Sequence, residues 1–380
     1  MYHLHFVWLL LKTWLANLTS RTSVRPHGRK ILILTSGKLG DLVCMTSLYG
    51  AIHRQLGVTV DVVSNHFGSE LYAGNPVIGK VHVLGQITPA VLAKELYSHA
   101  VLLNPNPELV ALAVRAGIPY RISVTTPREN FLTRVFERFL QERHVYRFDQ
   151  QAVEFYQTML GIIGLKLEVE RRTLFPSTAD QQRANVFWQE HGLPGKFVVA
   201  MCLGAGKAYK LWPVERFAAV ADFLVEQYGA KILLVGSSAD RDRSAALVAV
   251  VKHREAMVDA AGKFKLLEQA AVLKLCRLFV SVDTGPLYIA DAMGVPVVDI
   301  AGPADCVTQH PIGRYKILHP DNKEQYGDMA VAFHSGSENE ARYRKMTEAI
   351  SVKQVTTAID ELIQKHQLVN LQANKLPATS

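Results

Sequence analysis

The sequence predicts an α/β protein made of two doubly wound parallel-sheet domains, and three observations support this fold class. Short apolar runs alternate with helical patterns from residue 30 onward, an order typical of βαβ units around a parallel sheet. The alternation stops near residues 171–179 and then begins again. The 380 residues are also too many for one ordinary core and enough for two domains of average size.

The first half of the chain contains five apolar runs of strand length. We predict strands at residues 30–34, 58–63, 81–84, 100–103 and 120–124. The stretch "RRTLFPSTA" that follows at residues 171–179 contains proline and has no periodicity, which indicates a domain boundary. We therefore assign residues 30–178 to the first domain and residues 179–350 to the second.

The second half repeats the alternation. Strands are predicted at residues 197–203, 231–235, 278–282 and 295–300, and helices at 213–228, 240–251, 266–277 and 286–293. The polar stretch 333–344 is expected to be a loop or insertion. Residues 351–380 form a C-terminal segment, and a helix predicted at 352–364 within it is expected to return to the first domain. Two such domains in tandem would leave a cleft at the carboxyl ends of their sheets, where open α/β sheets bind ligands.

Residues 1–29 differ from the rest of the chain. Apolar residues recur at helical spacing (Leu4, Trp8, Leu11, Leu15 and Leu18), and four basic residues follow between residues 21 and 30. The apolar stretch is shorter than the roughly 20 residues of a spanning helix, and a secretory signal would carry its charges before the apolar run. We expect an amphipathic helix on an anionic membrane surface. An additional core helix of the first domain is the alternative.

Charge and cysteine content narrow the choice of partners. Lys and Arg number 42 against 34 Asp and Glu, a net charge of +8 that favours an anionic partner, although a basic soluble enzyme would have the same composition. No module of aromatic and basic residues indicates nucleic-acid binding. The four cysteines are far apart and form no CxxC pair, so we predict neither a disulfide framework nor a zinc site. This cysteine content fits a reducing compartment.

The first motif that carries chemistry is "TSGKLGD" at residues 35–41, between a predicted strand and a predicted helix. Its glycines allow a ligand to approach the backbone, and the amides that begin the helix form an anion-binding end. The spacing is neither GxGxxG nor a Walker loop. Asp41 is a candidate functional carboxylate here, and a residue that only caps the helix is the alternative.

Two more motifs follow strands in the second domain. In "LGAGKAYKLWP", Gly204 and Gly206 form a turn, and Lys207 and Lys210 bring positive charge that suits a diphosphate. In "VSVDTGPLYIADAMGVP", a strand leads through Asp283 into a helix of small residues. There Thr284 can cap and Pro286 suits the first turn, so the helix amides can bind a phosphate. An ordinary capped helix and surface lysines are the alternatives.

Taken together and in this order, the motifs resemble the glycosyltransferase family 9 enzymes, the heptosyltransferases of lipopolysaccharide core assembly. The resemblance covers roughly residues 30 to 365. It rests on "GKLGDLVCMTSLYGAI", "LGAGKAYKLWPVERFAAVADFL", "ILLVGSSADRDR", "LLEQAAVLKLCRLFVSVDTGPLYIADAMGVPVVDIAGPAD" and "ISVKQVTTAI".

This resemblance implies a GT-B fold, with an acceptor-binding first domain, a nucleotide-sugar-binding second domain and the active site between them. It also implies an inverting transfer, without metal or other cofactor, from a nucleotide sugar that is typically ADP-heptose. By position, Asp41 resembles the catalytic base, Lys38 and Gly40 lie on the acceptor side, and Lys210 resembles the lysine that binds the donor diphosphate. The remaining donor-binding positions are Gly204, Gly206, Asp283, Thr284, Gly285, Pro286, Leu287 and Tyr288.

The resemblance also implies partners and a place in the cell. We expect a lipid-linked or otherwise anionic glycan acceptor at the cytoplasmic face of the inner membrane. Arginines of the first domain are candidates for the acceptor side, although solvated surface residues would show the same pattern: Arg121, Arg128, Arg134 and Arg138.

Two positions depart from the family pattern. Position 288 is Tyr where the family has His, and Thr35 stands where a basic residue is common. Tyrosine can donate a hydrogen bond to a phosphate but carries no positive charge. A transferase with a different nucleotide sugar, or a nucleotide-sugar-binding protein without activity, therefore remains an alternative. A nicotinamide-dependent oxidoreductase is disfavoured because the GxGxxG turn and its acidic ribose ligand are missing.

Overall fold

The computed structural model describes residues 2–19, 30–104, 106–126, 131–161, 163–166, 168, 171–322 and 339–369. The chain divides into two compact units, Met1–Glu170 and Arg171–Ser380. The second unit begins eight residues before the predicted start at residue 179 (179 − 171 = 8). The physical reason is Arg172, whose guanidinium is buried and pairs with Asp291 inside the second unit.

The first unit is built on a six-stranded parallel sheet with the order β3-β2-β1-β4-β5-β6. Its strands are β1 (Ile31–Leu34), β2 (Val60–Ser64), β3 (Ile78–Val83), β4 (His99–Leu102), β5 (Tyr120–Thr125) and β6 (Glu142–Val145). Its helices are α1 (Tyr2–Thr19), α2 (Leu39–Leu56), α3 (His66–Leu71), α4 (Pro89–Ala93), α5 (Pro107–Arg115), α6 (Phe131–Phe136) and α7 (Ala152–Gly161).

The second unit contains another six-stranded parallel sheet, with the order β12-β11-β10-β7-β8-β9. Its strands are β7 (Val198–Cys202), β8 (Lys231–Leu234), β9 (Met257–Asp259), β10 (Leu278–Val282), β11 (Val297–Ile300) and β12 (Tyr315–Leu318). Its helices are α8 (Thr178–Glu190), α9 (Val214–Tyr228), α10 (Arg241–Val250), α11 (Leu266–Leu275), α12 (Gly285–Ala292), α13 (Glu340–Ala349) and α14 (Val352–His366).

Counted within its own unit, each sheet has the strand order 3-2-1-4-5-6 of a doubly wound Rossmann fold. The strand order reverses between β1 and β4 in the first unit and between β7 and β10 in the second. Ligands of open α/β sheets bind beyond the carboxyl ends of the strands at such a reversal. The predicted fold class is confirmed, and all three predicted motifs follow β1, β7 or β10 at these two positions.

Three strands were not predicted from the sequence: β6, β9 and β12. Each lies at a sheet edge and contains at least one charged residue, so none has the continuous apolar run of a central strand. The expected loop at 333–344 is wrong for residues 340–344, which begin α13, and residues 333–338 lie outside the described residues.

The expected return of the C-terminal helix to the first domain is wrong, because α14 packs within the second unit. Its apolar face, which includes Val355, Ile359 and Leu362, joins the core formed by α9, β10 and β11. The Trp212 indole Nε1 donates to the Ile350 carbonyl at 3.0 Å, which fixes the start of α14 against the second sheet.

Helix α1 packs on α5 along one edge only. Leu9 is buried in the first-unit core, with Phe6 and Leu10 beside it, and the Arg121 guanidinium donates to Asn17 Oδ1 at 3.2 Å. The wider apolar face stays exposed: Val7, Trp8, Leu11, Trp14, Leu15 and Leu18. The helix therefore packs on the core of the first unit, as in the alternative interpretation, and also presents apolar surface; its place on a membrane stays a prediction. No helix in the described part of the chain is long and apolar enough to cross a membrane.

Candidate functional site

The loop after β1 holds Asp41 in the first turn of α2. The Lys38 backbone N–H donates to Asp41 Oδ2 at 2.8 Å, so one carboxylate oxygen caps the start of the helix. Asp41 is half-buried, Lys38 is exposed and Gly40 is buried. A Cβ at Gly37 would lie 2.9 Å from Asp41 Cβ, so only glycine allows this close approach. The alternative that Asp41 is the N-cap is wrong, because Lys38 occupies that position; Asp41 lies in the first turn and accepts from the N-cap backbone N–H.

Two asparagines hold this loop, and the sequence analysis did not identify either. The Asn104 side chain, after β4, accepts from the Ser36 N–H at 2.8 Å and donates to Ser36 Oγ at 2.7 Å. The Asn65 side chain, after β2, donates to the Gly37 carbonyl at 2.9 Å. Asn65 directly follows β2 and Asn104 lies two residues after β4, and both strands flank β1. That position was the available signal, because neighbouring parallel strands end at the same sheet edge.

The loop after β7 places Lys210 in an ion pair. Lys210 ends a short 3-10 turn, Ala208–Lys210, and its ammonium contacts Asp283 Oδ2, from the loop after β10. The lysine side chain is 23% exposed and the aspartate side chain 11%. Burial disfavours the charge of Lys210, but the Asp283 carboxylate outweighs this effect, so the pKa of Lys210 lies above its ordinary value. The structure thus joins two predicted donor-binding residues that are 73 positions apart.

Gly204 and Gly206 have different environments. A Cβ at Gly204 would lie 1.7 Å from Asp240 Oδ1, because the Asp240 carboxylate, which accepts from the Ser237 N–H, packs against this backbone. A Cβ at Gly206 would meet nothing within 4 Å. Arg243 also holds the loop, with Nε donating to the Leu203 carbonyl at 3.2 Å and Nη2 to the Trp212 carbonyl at 2.8 Å. Arg243 lies in the quoted "SSADRDR" segment, but its role depends on a contact that the sequence alone does not reveal.

The loop after β10 leads into α12. Thr284 occupies the N-cap position, but its side chain makes no capping hydrogen bond, in contrast to our expectation. Asp283, Thr284, Gly285 and Pro286 are half-buried. Pro286 has no N–H, and the Leu287 N–H donates to the Thr284 carbonyl at 3.1 Å. The first residues of α12 therefore lie at the carboxyl edge of the sheet, where the positive end of the helix dipole is accessible.

Tyr288 is buried and contacts the Asp283 carboxylate of the ion pair between Lys210 and Asp283. Its hydroxyl donates to Asp283 Oδ1 at 3.0 Å, so Asp283 accepts from a tyrosine on one oxygen and pairs with Lys210 through the other. Arg172 lies over the Tyr288 ring, with 5.4 Å between the guanidinium carbon and the ring centroid. The Arg172 guanidinium donates to Asp291 Oδ2 at 2.9 Å and to the His310 carbonyl at 2.8 Å.

These sites can now be compared with known proteins. The family model of glycosyltransferase family 9 (heptosyltransferase) matches residues 91–329, which is more than half of the chain and includes Lys210 and Asp283. The chain belongs to this family. It is therefore a glycosyltransferase, and the loops after β7 and β10 lie within the family match, whereas Asp41 lies upstream of it.

Individual relatives cover most of the chain. Lipopolysaccharide heptosyltransferase 2 of Escherichia coli strain K12 is 22% identical over 334 residues, which are 80% of this chain and 93% of that protein. Among solved structures, a family 9 glycosyltransferase from Veillonella parvula matches with a TM-score of 0.73, 22% identity, and coverage of 88% of this chain and 97% of that one. The E. coli ADP-heptose lps heptosyltransferase II matches with a TM-score of 0.71, 18% identity, and coverage of 89% and 99%. These likenesses establish the GT-B fold.

In this family 9 chain, one of the four arginines predicted for the acceptor side, Arg121, is wrongly assigned. Arg121 is buried, and its guanidinium donates to the carbonyls of Phe139 at 2.7 Å and Ile118 at 2.5 Å, so it is a structural residue. Burial lowers the pKa of Arg121 to about 10. Arg134 and Arg138 are exposed, and Arg128 lies outside the described residues. Over the described ranges, no group of three or more His, Cys, Asp or Glu side chains is arranged to hold a metal ion.

Proposed function

We propose that this glycosyltransferase moves a heptose, or a related sugar, from an ADP-sugar to a lipopolysaccharide core or similar anionic glycan, with inversion and without a metal ion. The observation that carries the proposal is the chemistry at the two strand-order reversals. A half-buried carboxylate, Asp41, follows β1, and a lysine, Lys210, follows β7 at the corresponding position of the second sheet. The names of the relatives support the sugar and the acceptor.

Asp41 is assigned as the general base. In an inverting transfer, a carboxylate removes the proton of the acceptor hydroxyl while the hydroxyl oxygen bonds to the anomeric carbon and the bond to the departing diphosphate breaks. Two hydrogen bonds hold this loop: the Lys38 N–H donates to Asp41, and the Asn104 side chain donates to Ser36 Oγ. They favour a fixed position for the base. Lys38 and Gly40 border the same loop on the acceptor side.

Lys210 and the start of α12 are assigned to the donor. The diphosphate gains negative charge as it leaves, and an ammonium group together with the N-terminal amides of a helix stabilises that charge. Thr284 and Gly285 supply such amides, and the turn through Gly204 and Gly206 lies beside the lysine. Because Lys210 already pairs with Asp283, the incoming diphosphate must share the ammonium with this carboxylate.

The exposed face of α1 is assigned to the cytoplasmic surface of the inner membrane. Trp8, Leu11 and Trp14 present large apolar side chains to solvent, and Lys12 lies over the Trp8 ring at 3.3 Å from its centroid. Apolar and indole side chains beside lysine suit the boundary between anionic headgroups and acyl chains. A helix anchored there would hold the enzyme near lipid-linked acceptors.

The central experiment tests the base. Asp41→Asn should lower the rate of sugar transfer from ADP-heptose to a truncated core acceptor by roughly 10²- to 10⁴-fold, because the amide cannot take the proton. Calorimetric titration with ADP should give unchanged affinity for this variant. Chelation of divalent metals with EDTA should leave the wild-type rate unchanged.

A matched control is Glu108→Gln. Glu108 is an exposed acid in the first turn of α5, which begins at the same sheet edge after β4, so its loss should leave the rate intact. If Asp41→Asn transfers sugar at the wild-type rate, Asp41 is not the base. ADP binding without transfer to any acceptor would instead favour a nucleotide-sugar-binding protein, and preference for UDP or GDP would replace the donor.

A second experiment tests the membrane assignment with vesicles that contain anionic phospholipid. Trp14→Glu should reduce the vesicle-bound fraction roughly tenfold or more, because burial of an aromatic side chain contributes a few kcal/mol and the new charge removes it. Leu96→Glu is the control, since Leu96 is an exposed apolar residue of the same unit that lies outside α1. Equal loss of binding in both variants would remove α1 as the anchor.

A further inference from the structure

Asp299 is a fully buried carboxyl group in the second sheet, and no part of the proposed function uses it. It is the third residue of β11 and lies in register with Ser281 of β10. No described residue donates a hydrogen bond to either of its carboxyl oxygens. The hydroxyl of Ser281, the residue in register on β10, does not donate to Asp299, because Ser281 Oγ donates to the Val282 carbonyl at 2.8 Å.

This environment contrasts with that of another buried aspartate of the same unit. Asp222, on α9, accepts from the backbone N–H of Lys252 at 3.0 Å and of His253 at 3.3 Å. An ionised carboxylate needs such donors when it leaves water, and burial without them costs several kcal/mol. Asp222 thus has hydrogen-bond donors in its buried position, whereas the surroundings of Asp299 contain none among the described residues and favour the neutral acid.

The charged groups around Asp299 belong to the donor loops. Burial raises the pKa of Asp299, the charge of Asp283 raises it further, and the charge of Lys210 acts in the opposite direction. The Cys306 thiol, from the loop after β11, is the other titratable neighbour, and burial raises its pKa too.

The other elements that pack on β11 carry two ion pairs, and α14 also carries Lys353 and Lys365. On α12, Asp291 pairs with Arg172, and the Tyr288 hydroxyl donates to Asp283. On β12 and α14, Lys316 pairs with Glu361. The balance around Asp299 is therefore set by one ammonium and one carboxylate, Lys210 and Asp283.

We propose that Asp299 carries a proton in the folded protein and thereby leaves Lys210 with one carboxylate partner, so that its ammonium can also bind an anionic ligand. Asp299 is a positioning residue of the donor site, because it acts through Lys210. The inference rests on the proposed function for the identity of the ligand, a nucleoside diphosphate. The presence of the proton does not depend on that identity.

The consequence follows from counting charges. With Asp299 neutral, Lys210 and Asp283 sum to zero and the site accepts a diphosphate. With Asp299 ionised, two carboxylates face one ammonium, and the site repels the ligand. By linkage, ADP binding must then be coupled to uptake of a proton when Asp299 is partly ionised.

The first test is calorimetric titration with ADP at increasing pH, starting near pH 7, where the phosphates of ADP are already ionised. Wild-type affinity should fall on the order of tenfold as Asp299 loses its proton. Asp299→Asn, which is neutral at every pH, should keep its affinity constant as the pH rises. The same fall in both proteins would overturn the proposal.

The second test needs no nucleotide and therefore separates this inference from the proposed function. A carboxyl group whose pKa is raised by folding holds more protons in the native state than in the unfolded state, so its contribution to stability is lost as the pH rises through the native pKa. Asp299→Asn should therefore gain thermal stability relative to the wild type as the pH rises. Asp222→Asn, the control, should lose stability and show no such gain.

The outcomes are distinct. If wild-type protein does not bind ADP, the donor assignment fails and the stability test still decides whether Asp299 is protonated. If Asp299→Asn shows no relative gain in stability at high pH, Asp299 is ionised and the proposal is wrong. If Asp299→Asn does not fold, infrared spectra of the wild type decide instead, since a protonated carboxyl band that disappears on raising the pH supports the proposal and its absence overturns it.

Discussion

The two units have the same strand order, yet their loops at the strand-order reversal are held by different chemistry. In the first unit, the loop after β1 is braced by neutral amides, with Asn104 on Ser36 and Asn65 on Gly37. In the second unit, the loop after β7 is held by charge, through Lys210 on Asp283 and Arg243 on two carbonyls. The difference matches the proposed roles, because a departing diphosphate is stabilised by a cation, whereas a general base needs a fixed position that neutral hydrogen bonds can provide.

The second unit also contains a buried ion pair close to its loops. The pair joins Arg172 with Asp291, whose side chains are 3% and 1% exposed. Asp291 further accepts from the Gly313 N–H at 2.8 Å, so this pair ties three segments of the unit together. The second site is thus stabilised by groups whose removal leaves an uncompensated charge.

The largest expected effect comes from breaking that buried pair. Arg172→Met should destabilise the second unit by about 3–5 kcal/mol, because it leaves the Asp291 carboxylate buried without its partner. Denaturant unfolding followed by hydrogen exchange would measure the loss and locate it. Arg147→Met is the control, since Arg147 and Asp149 form an exposed pair with side chains 64% and 62% accessible. That change should leave the free energy of unfolding nearly unchanged, because water screens an exposed ion pair. Equal losses in the two variants would contradict the importance of burial.

A smaller effect should distinguish the two glycines of the second loop. Gly204→Ala places a methyl group 1.7 Å from Asp240 Oδ1 and forces the carboxylate or the loop to move, at a cost of about 1–3 kcal/mol. Because Lys210 belongs to the same loop, ADP affinity should also fall. Gly206→Ala has open space around its new methyl group and should leave the stability nearly unchanged. Equal behaviour of the two variants would show that Asp240 adjusts freely.

The sequence was sufficient for the parts of each site that lie next to one another in the chain. Asp41, Lys210 and Asp283 each follow a central strand and stand beside turn glycines or a helix start, so local pattern and family resemblance predicted their place. Asn104 and Arg172 were missed because their partners lie 68 and 119 residues away. Such contacts exist only once the strand order is known, and the short edge strands that complete this order carry too little apolar pattern to be predicted.

Asp299 illustrates the same limit within a strand. It interrupts the apolar run "VPVVDIA", and a run of this kind predicts a buried strand whatever the one polar residue does. Its significance depends on two observations that are not local: the absence of a described donor near its oxygens, and the position of Lys210 and Asp283. Sequence pattern therefore predicted the strand and left the chemistry of its third residue unassigned.

The smallest effect should come from the neutral brace of the first loop. Asn104→Ala removes the hydrogen bonds to the Ser36 N–H and Ser36 Oγ, and it should cost about 1–2 kcal/mol of stability because both partners are only part-buried and can bind water instead. Sugar transfer should slow by more than this loss of stability implies, since the Ser36 loop also positions Asp41. ADP affinity, which the proposed function assigns to the second unit, should stay constant and serves as the internal control. If transfer is unaffected while stability falls, Asn104 supports the fold and not the base, and the contrast between the two loops would then concern stability alone.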